Sequence, residues 1–192
     1  MTLRKFFIGR TIGFLVVLIL VGGFFLTQRI FFPQTPLIDS SSQTYSSDVY
    51  GISFTYPKNY VLNEIEAPGS GMRKHHIINL MRSEDLPAPV GGEGPQSITV
   101  EIYQNNLDNQ TTENWIRNTS ESNFKLSDGN LASTTLSNFP ALSYRWSGLY
   151  EGTTIVTALP SWVYVATVTY LEMGSPIIQD FVQVRDSIRI AQ

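Results

Sequence analysis

The stretch Thr11 to Thr27 (TIGFLVVLILVGGFFLT) contains no charged residue, and Arg4, Lys5 and Arg10 stand just before it. As an α-helix these seventeen residues span roughly 26 Å, slightly less than a hydrocarbon core of roughly 30 Å. Phe6, Phe7 and Ile8 on one side and Ile30, Phe31 and Phe32 on the other extend the apolar surface, and Arg10 can snorkel to the headgroups. Pro33 and Pro36 then prevent a straight continuation. The sequence therefore predicts one transmembrane helix over residues 11–30. Three basic residues precede the span and only Arg29 lies close after it, which puts residues 1–10 in the cytoplasm and residues 31–192 outside. The adjoining TQRIFFPQTP offers no small-residue cleavage site, so a retained signal-anchor is expected. The chain has no cysteine to carry a lipid, and its first acidic residue is Asp39, unlike a pilin-type helix. Gly22-Gly23 is read as part of the span rather than as a helix-pairing motif.

Charge divides unevenly along the chain. Residues 31–192 hold nine Lys and Arg against sixteen Asp and Glu, a net of −7. An acidic exterior domain argues against nucleic acid as a partner and against flat docking on anionic lipid. The lack of cysteine removes disulfides, thiolate metal sites and a cysteine nucleophile together. The residues after the anchor suffice for one domain with its own core.

Residues 31–48, including PQTPLIDSSSQTYSSD, are rich in Ser, Thr and Pro and read as a flexible linker ahead of a domain over 49–192. From Tyr50 the pattern changes. Gly51 to Tyr56 alternates in period two and stops at Pro57, and Tyr60 to Glu66 is expected to pair with it through a turn at Lys58-Asn59. Further strands are expected over His75 to Met81, Ser97 to Tyr103, Leu131 to Leu136, Ala141 to Tyr150, Thr153 to Leu159 and Trp162 to Leu171. The last is apolar on both faces and belongs near a sheet centre. Thr112 is the expected N-cap of a helix carrying Trp115, Ile116 and Thr119 inward. Ser175-Pro176 opens a second helix, with Ile177, Phe181, Val184 and Ile188 at helical spacing. The whole reads as an α+β domain: an antiparallel β-sheet packed with two helices.

Two stretches resemble the PsbP-like fold family, shared by the extrinsic photosystem protein PsbP and many bacterial exported or anchored proteins. One is Tyr50-Gly51-Ile52-Ser53-Phe54-Thr55-Tyr56-Pro57 with Tyr60 just beyond it, which is similar to the family's opening hairpin. The other is Phe181 to Ile190 (FVQVRDSIRI), which resembles its closing helix. The resemblance covers about residues 48–190. It implies a role in binding, assembly or accessory work and transfers no catalytic residue. The chain departs from the family in its retained anchor without a lipidation cysteine.

Candidate chemistry is sparse. His75 and His76 are the only histidines, and as strand neighbours they point to opposite faces. Glu64 and Glu66 share a face and are expected near one of them. Solvated polar residues at a strand end are preferred there to a metal site. Gly69-Ser70-Gly71 lacks the context of a nucleophile elbow, and Gly91-Gly92-Glu93-Gly94 lacks the helix a phosphate loop requires. Glu84, Asp85 and Glu93 lack calcium-loop spacing. Asn109 and Asn118 open glycosylation triplets that matter only in a eukaryotic secretory pathway. Among the aromatics, Tyr144, Trp146, Tyr150 and Trp162, with Tyr164 and Tyr170, form a candidate stacking surface for a ligand or partner, although core packing is the commoner use of such residues. No catalytic residue, metal ligand or cofactor is assigned. The expected function is that of a non-catalytic, single-pass, membrane-anchored extracytoplasmic accessory domain serving an envelope protein. The alternatives are a small hydrolase or metal-dependent enzyme using His75 or His76 with nearby carboxylates, and a purely structural spacer.

Overall fold

A computed structural model describes residues 41–87 and 94–191. The expected membrane span over 11–30 lies outside the described residues, as do residues 31–40 of the expected linker and Gly91, Gly92 and Glu93. Among the described residues no helix is long and apolar enough to cross a membrane.

Strands β1 (Ser42–Ser47), β2 (Ile52–Pro57), β3 (Tyr60–Pro68), β4 (Lys74–Arg82) and β5 (Ser97–Gln104) precede helix α1 (Thr112–Asn118). Strands β6 (Ala132–Leu136), β7 (Phe139–Ser147), β8 (Glu151–Ala158) and β9 (Trp162–Tyr170) come next, then helix α2 (Ile177–Ser187) and the short β10 (Arg189–Ile190). Seven strands form one antiparallel sheet in the order β3-β4-β5-β9-β8-β7-β6, and β1-β2-β10 form a small antiparallel sheet. The domain is therefore α+β with two helices, as its patterning predicted.

The central position of β9 is dictated by its sequence. Val163 and Val165 are buried on one face, and Tyr164, Ala166, Val168 and Tyr170 on the other. The second group shares its face with Ile78, Leu80, Ile98, Val100 and Ile102, and the small sheet and α2 pack over it. Ile177, Phe181, Val184 and Ile188 are all buried there, as their helical spacing predicted. On the opposite face α1 covers a smaller cluster of Tyr103, Trp115, Ile116, Tyr144, Trp146, Val156, Val163 and Val165.

The opening of the domain differs from expectation. Ser42 to Ser47, read as part of a linker, is a strand pairing with Pro57 to Ile52. The expected β2–β3 hairpin is absent: β2 lies between β1 and β10, and β3 pairs with β4 instead. The physical reason is competition for an edge. Tyr45 buries its ring against Phe54 at 5.1 Å as β1 pairs with one side of β2, and β10 pairs with the other, so neither side is left for β3.

Helix caps also shift by one residue. Thr111, not Thr112, caps α1, its Oγ1 accepting from the Asn114 amide at 3.3 Å. Thr112 Oγ1 instead accepts from the Ala158 amide at 3.0 Å and ties α1 to β8. Helix α2 begins at Ile177, with Pro176 at the cap position and no side-chain cap from Ser175.

A histidine–tyrosine cluster beside an aromatic groove

His75 and His76 project from β4 to opposite faces, as strand geometry requires. His76 lies under the small sheet, 4% exposed. Its Nδ1 meets Glu66 Oε1 at 2.7 Å, and its Nε2 lies 3.2 Å from Glu64 Oε2 and 3.2 Å from the Tyr45 hydroxyl. Tyr45 donates to Glu64 Oε2 at 3.0 Å, and Tyr50 donates to Glu66 Oε1 at 2.5 Å. The Tyr50 ring stacks on the imidazole with centroids 4.4 Å apart.

Both local and distant contacts hold Tyr50 there. Gly51 has φ +58, which glycine adopts without a Cβ clash, and the Ala191 amide donates to its carbonyl at 2.8 Å. Tyr164 donates to the Tyr50 carbonyl at 2.8 Å. Burial, then hydrogen bonding to Glu64, pushes the Tyr45 hydroxyl up to about 12. Burial and then Glu66 push Tyr50 up to about 12 as well. Both phenols stay protonated donors across neutral pH.

His75 faces α1, its Nε2 2.8 Å from Glu101 Oε2 and its ring stacked on Tyr103 at 4.0 Å. Tyr103 also donates to Glu101. Burial first, then the neighbouring Glu101 charge, raises the Tyr103 hydroxyl far above its ordinary range. Each histidine thus sits against a tyrosine and a carboxylate, on either side of one sheet.

These contacts bear on metal binding. Glu66 and Glu64 occupy opposite nitrogens of the His76 ring, so the three side chains do not converge on one point. Among the described residues no group of three or more His, Asp or Glu side chains is placed to hold a metal ion. Both ring nitrogens of His76 are engaged by the surrounding Glu66, Glu64 and Tyr45 side chains.

Beside the cluster, the Asp48–Gly51 turn and the Leu159–Trp162 turn enclose an open groove of about 580 Å³. Tyr50, Trp162, Tyr164, Val49 and Pro160 line it, with Asp48 and Ser161 as polar groups. Trp162 meets Tyr50 edge-on at 5.2 Å.

The expected aromatic surface divides between two faces. Trp162 enters this groove. Tyr144 and Trp146 are buried under α1, where Tyr144 donates to the Ser122 carbonyl and Trp146 Nε1 donates to Thr154 Oγ1 at 3.0 Å. Tyr150 is half-buried and donates to the Gly94 carbonyl at 2.5 Å. Tyr170 is buried on the face of Tyr164. The groove gains Tyr50, whose position depends on contacts far along the chain. Tyr45 is hidden in a Ser- and Thr-rich run, and its only local signal is the β-favouring Thr44-Tyr45 pair.

The remaining candidates lie apart. Of Gly69-Ser70-Gly71, Gly69 caps the 3-10 turn Ser70–Met72, in which Gly71 has φ 68. Glu84 and Asp85 are exposed on another such turn, with Glu84 3.7 Å from Arg82. Asn109 sits at φ 50 in a turn, and Asn118 ends α1.

No protein-family model matches the chain, and none of the curated proteins matches it. Among solved structures it is similar to the solution structure of cyanobacterial PsbP (CyanoP) from Synechocystis sp. PCC 6803. That match has a TM-score of 0.53 at 12% identity and covers 81% of this chain and 96% of the other. The seven-stranded sheet, its small companion sheet and its two helices thus constitute a PsbP-like fold.

Proposed function

We propose that this chain is a single-pass, membrane-anchored accessory domain that works outside the cytoplasm by binding an envelope protein, without a catalytic centre of its own. The observation that carries the reading is the PsbP-like fold, a likeness that implies binding, assembly or accessory roles. The anchor rests on the uncharged run Thr11 to Thr27 and the basic residues before it. The groove between Tyr50 and Trp162 is the proposed contact surface, because it presents amphipathic aromatic edges and Val49, which is 75% exposed, at one rim.

The natural absence of cysteine makes the test clean. A single Leu107→Cys variant, altered at an exposed position, should react with a membrane-impermeant maleimide on intact cells. Labelling only after lysis would overturn the topology. A photo-crosslinking residue at position 49 should yield a discrete adduct in intact cells that Trp162→Ala removes. An adduct indifferent to Trp162, or none at all, would overturn the groove as contact surface.

A further inference from the structure

Strand β3 forms one edge of the seven-stranded sheet and, among the described residues, pairs only with β4. Two hydrogen bonds just beyond its ends set its register of bonding. The Ser83 amide donates to the Asn59 carbonyl at 2.8 Å, and the Gly69 amide donates to the Arg73 carbonyl at 3.0 Å. Both continue the β3–β4 register, in which Tyr60 lies opposite Arg82 and Pro68 opposite Lys74. Hydrogen-bonded and non-bonded pairs alternate along an antiparallel ladder. Val61, Asn63, Ile65 and Ala67 therefore bond inward to β4, while Leu62, Glu64 and Glu66 turn their N–H and C=O groups outward. Among the described residues nothing pairs with those outward groups.

Natural sheet edges are commonly blunted by charged side chains, lysine above all, by proline or by a bulge. The charges on this edge, Glu64 and Glu66, are acidic and repel an acidic strand while leaving the edge open to a basic one. The nine residues of β3 contain no lysine and no bulge, and their one proline is the last residue. Alternation then gives the edge two chemically distinct flanks. Glu64 and Glu66 project to the small-sheet side with side chains 47% and 63% exposed. Each gives one oxygen to the His76 cluster, and Glu64 Oε1 and Glu66 Oε2 take no hydrogen bond among the described residues. On the other side Val61 and Ile65 are 43% and 45% exposed and lie opposite Met81 and Ile77 of β4.

We propose that this edge accepts an extended segment of a partner protein as an eighth, antiparallel strand. Residues directly opposite across a ladder point to the same face. The segment that fits therefore alternates Lys or Arg, set against Glu64 and Glu66, with aliphatic residues that cover Val61 and Ile65. The net charge of −7 over residues 31–192 draws the same kind of partner. A second copy of this chain fits less well, because antiparallel pairing centred on Glu64 or Ile65 sets carboxylate opposite carboxylate, and pairing centred on Asn63 sets Glu64 opposite Leu62 with no cation to meet it. The inference stands on the strand edge and is independent of the anchor and of the aromatic groove.

The probe is a fluorescent peptide of roughly eight alternating lysines and valines, titrated by anisotropy into the full-length protein in detergent micelles at near-physiological salt. Saturable binding is expected, at least about tenfold tighter than for the alternating glutamate–valine peptide. The register makes a sharper demand. The lysines lie opposite the outward-bonding Glu64 and Glu66, so N-methylating the lysine amides should abolish binding, whereas N-methylating the valine amides should leave it nearly unchanged. Ile65→Lys, at an exposed position, should weaken binding about tenfold with the fold intact. Glu64→Gln with Glu66→Gln should also weaken it, with unchanged circular dichroism showing that loss of the His76 contacts did not unfold the domain. Binding that ignores N-methylation would reduce the interaction to charge attraction and overturn the proposal. No saturation up to about 1 mM peptide would overturn it as well.

Discussion

The two faces of the seven-stranded sheet are built from the same strands yet meet different fates. One face lies under the small sheet and α2, elements drawn from the beginning and the end of the domain, and its apolar residues from Ile78 to Tyr170 are buried. The other face is covered by a seven-residue helix and the turn at Phe124, and leaves Val61 and Ile65 nearly half exposed. The contrast is sharpest across one peptide bond. His76 shares two carboxylates with Tyr45 and Tyr50 beneath the small sheet, while His75 shares one with Tyr103 beneath α1. Residue type does not separate these environments. What packs above each face does.

The strongest break of this contrast should come from Phe181→Ala, which removes the α2 ring from the fully covered face. About 3–5 kcal/mol of stability should be lost, measured by urea unfolding of the full chain. A loss under about 1 kcal/mol would mean that α2 does not hold that face closed. On the other face, Gly152 lies directly opposite Trp146, and a Cβ built there overlaps the indole. Gly152→Ala should therefore cost about 1–3 kcal/mol through overpacking. A neutral result would show that the cluster under α1 repacks freely. Thr111→Ala, which removes the α1 cap, should cost about 1 kcal/mol and should raise amide exchange in Thr112–Asn118 without affecting α2. Uniform exchange changes through both helices would erase the distinction between the two coverings.

The pH response should come from buried tyrosines on both faces, because burial raises Tyr103 and Tyr144 under α1 as well as the tyrosines under the small sheet. Tyr45, Tyr50 and Tyr164 have hydroxyls raised to about 12 from an ordinary 10.0, by burial first and, for Tyr45 and Tyr50, by carboxylates next. A raised phenol holds its proton more tightly when folded than when unfolded. Its contribution is therefore fully present below its unfolded value of 10.0 and is lost as pH rises through about 12. Unfolding midpoints against pH, with tyrosinate absorbance as the second probe, should show a decline that begins above pH 10.0 and continues beyond the window of Tyr45 and Tyr50, because Tyr60, Tyr103 and Tyr144 are raised further. Tyrosines that all ionised at their ordinary value in the native protein would refute the buried network. Least of all should happen with Ile65→Lys, which should change stability by no more than about 0.5 kcal/mol. A larger loss would mean that the open part of the second face is covered after all.

Legibility in the sequence tracks the range of the interactions involved. Strand β9 is readable because apolar residues on both faces leave it no place except a sheet interior, and α2 because Ile177, Phe181, Val184 and Ile188 define one stripe. β1 is not readable: Ser42 to Ser47 has only Tyr45 as an apolar anchor, and its pairing with β2 cannot be inferred from so polar a run. Strand alternation puts Glu64 and Glu66 on one face, and the β3–β4 register then brings that face to His76. The aromatic surface is less legible. Period two puts Tyr144 and Trp146 on one face of β7 but says nothing of how that face aligns with Trp162, two strands away in β9.

By itself the sequence determined the uncharged N-terminal run, the acidic balance of residues 31–192, the absence of thiol chemistry and the local habit of most strands and both helices. Those properties depend on composition and on contacts within a few residues. Only the tertiary structure decided that β2 lies between β1 and β10, that Tyr50 closes over His76, and that β3 ends the sheet with its outward hydrogen-bonding groups unpaired among the described residues. Each of those outcomes is a choice among competing partners distant along the chain, and periodicity records which face a residue prefers but not which strand arrives to meet it.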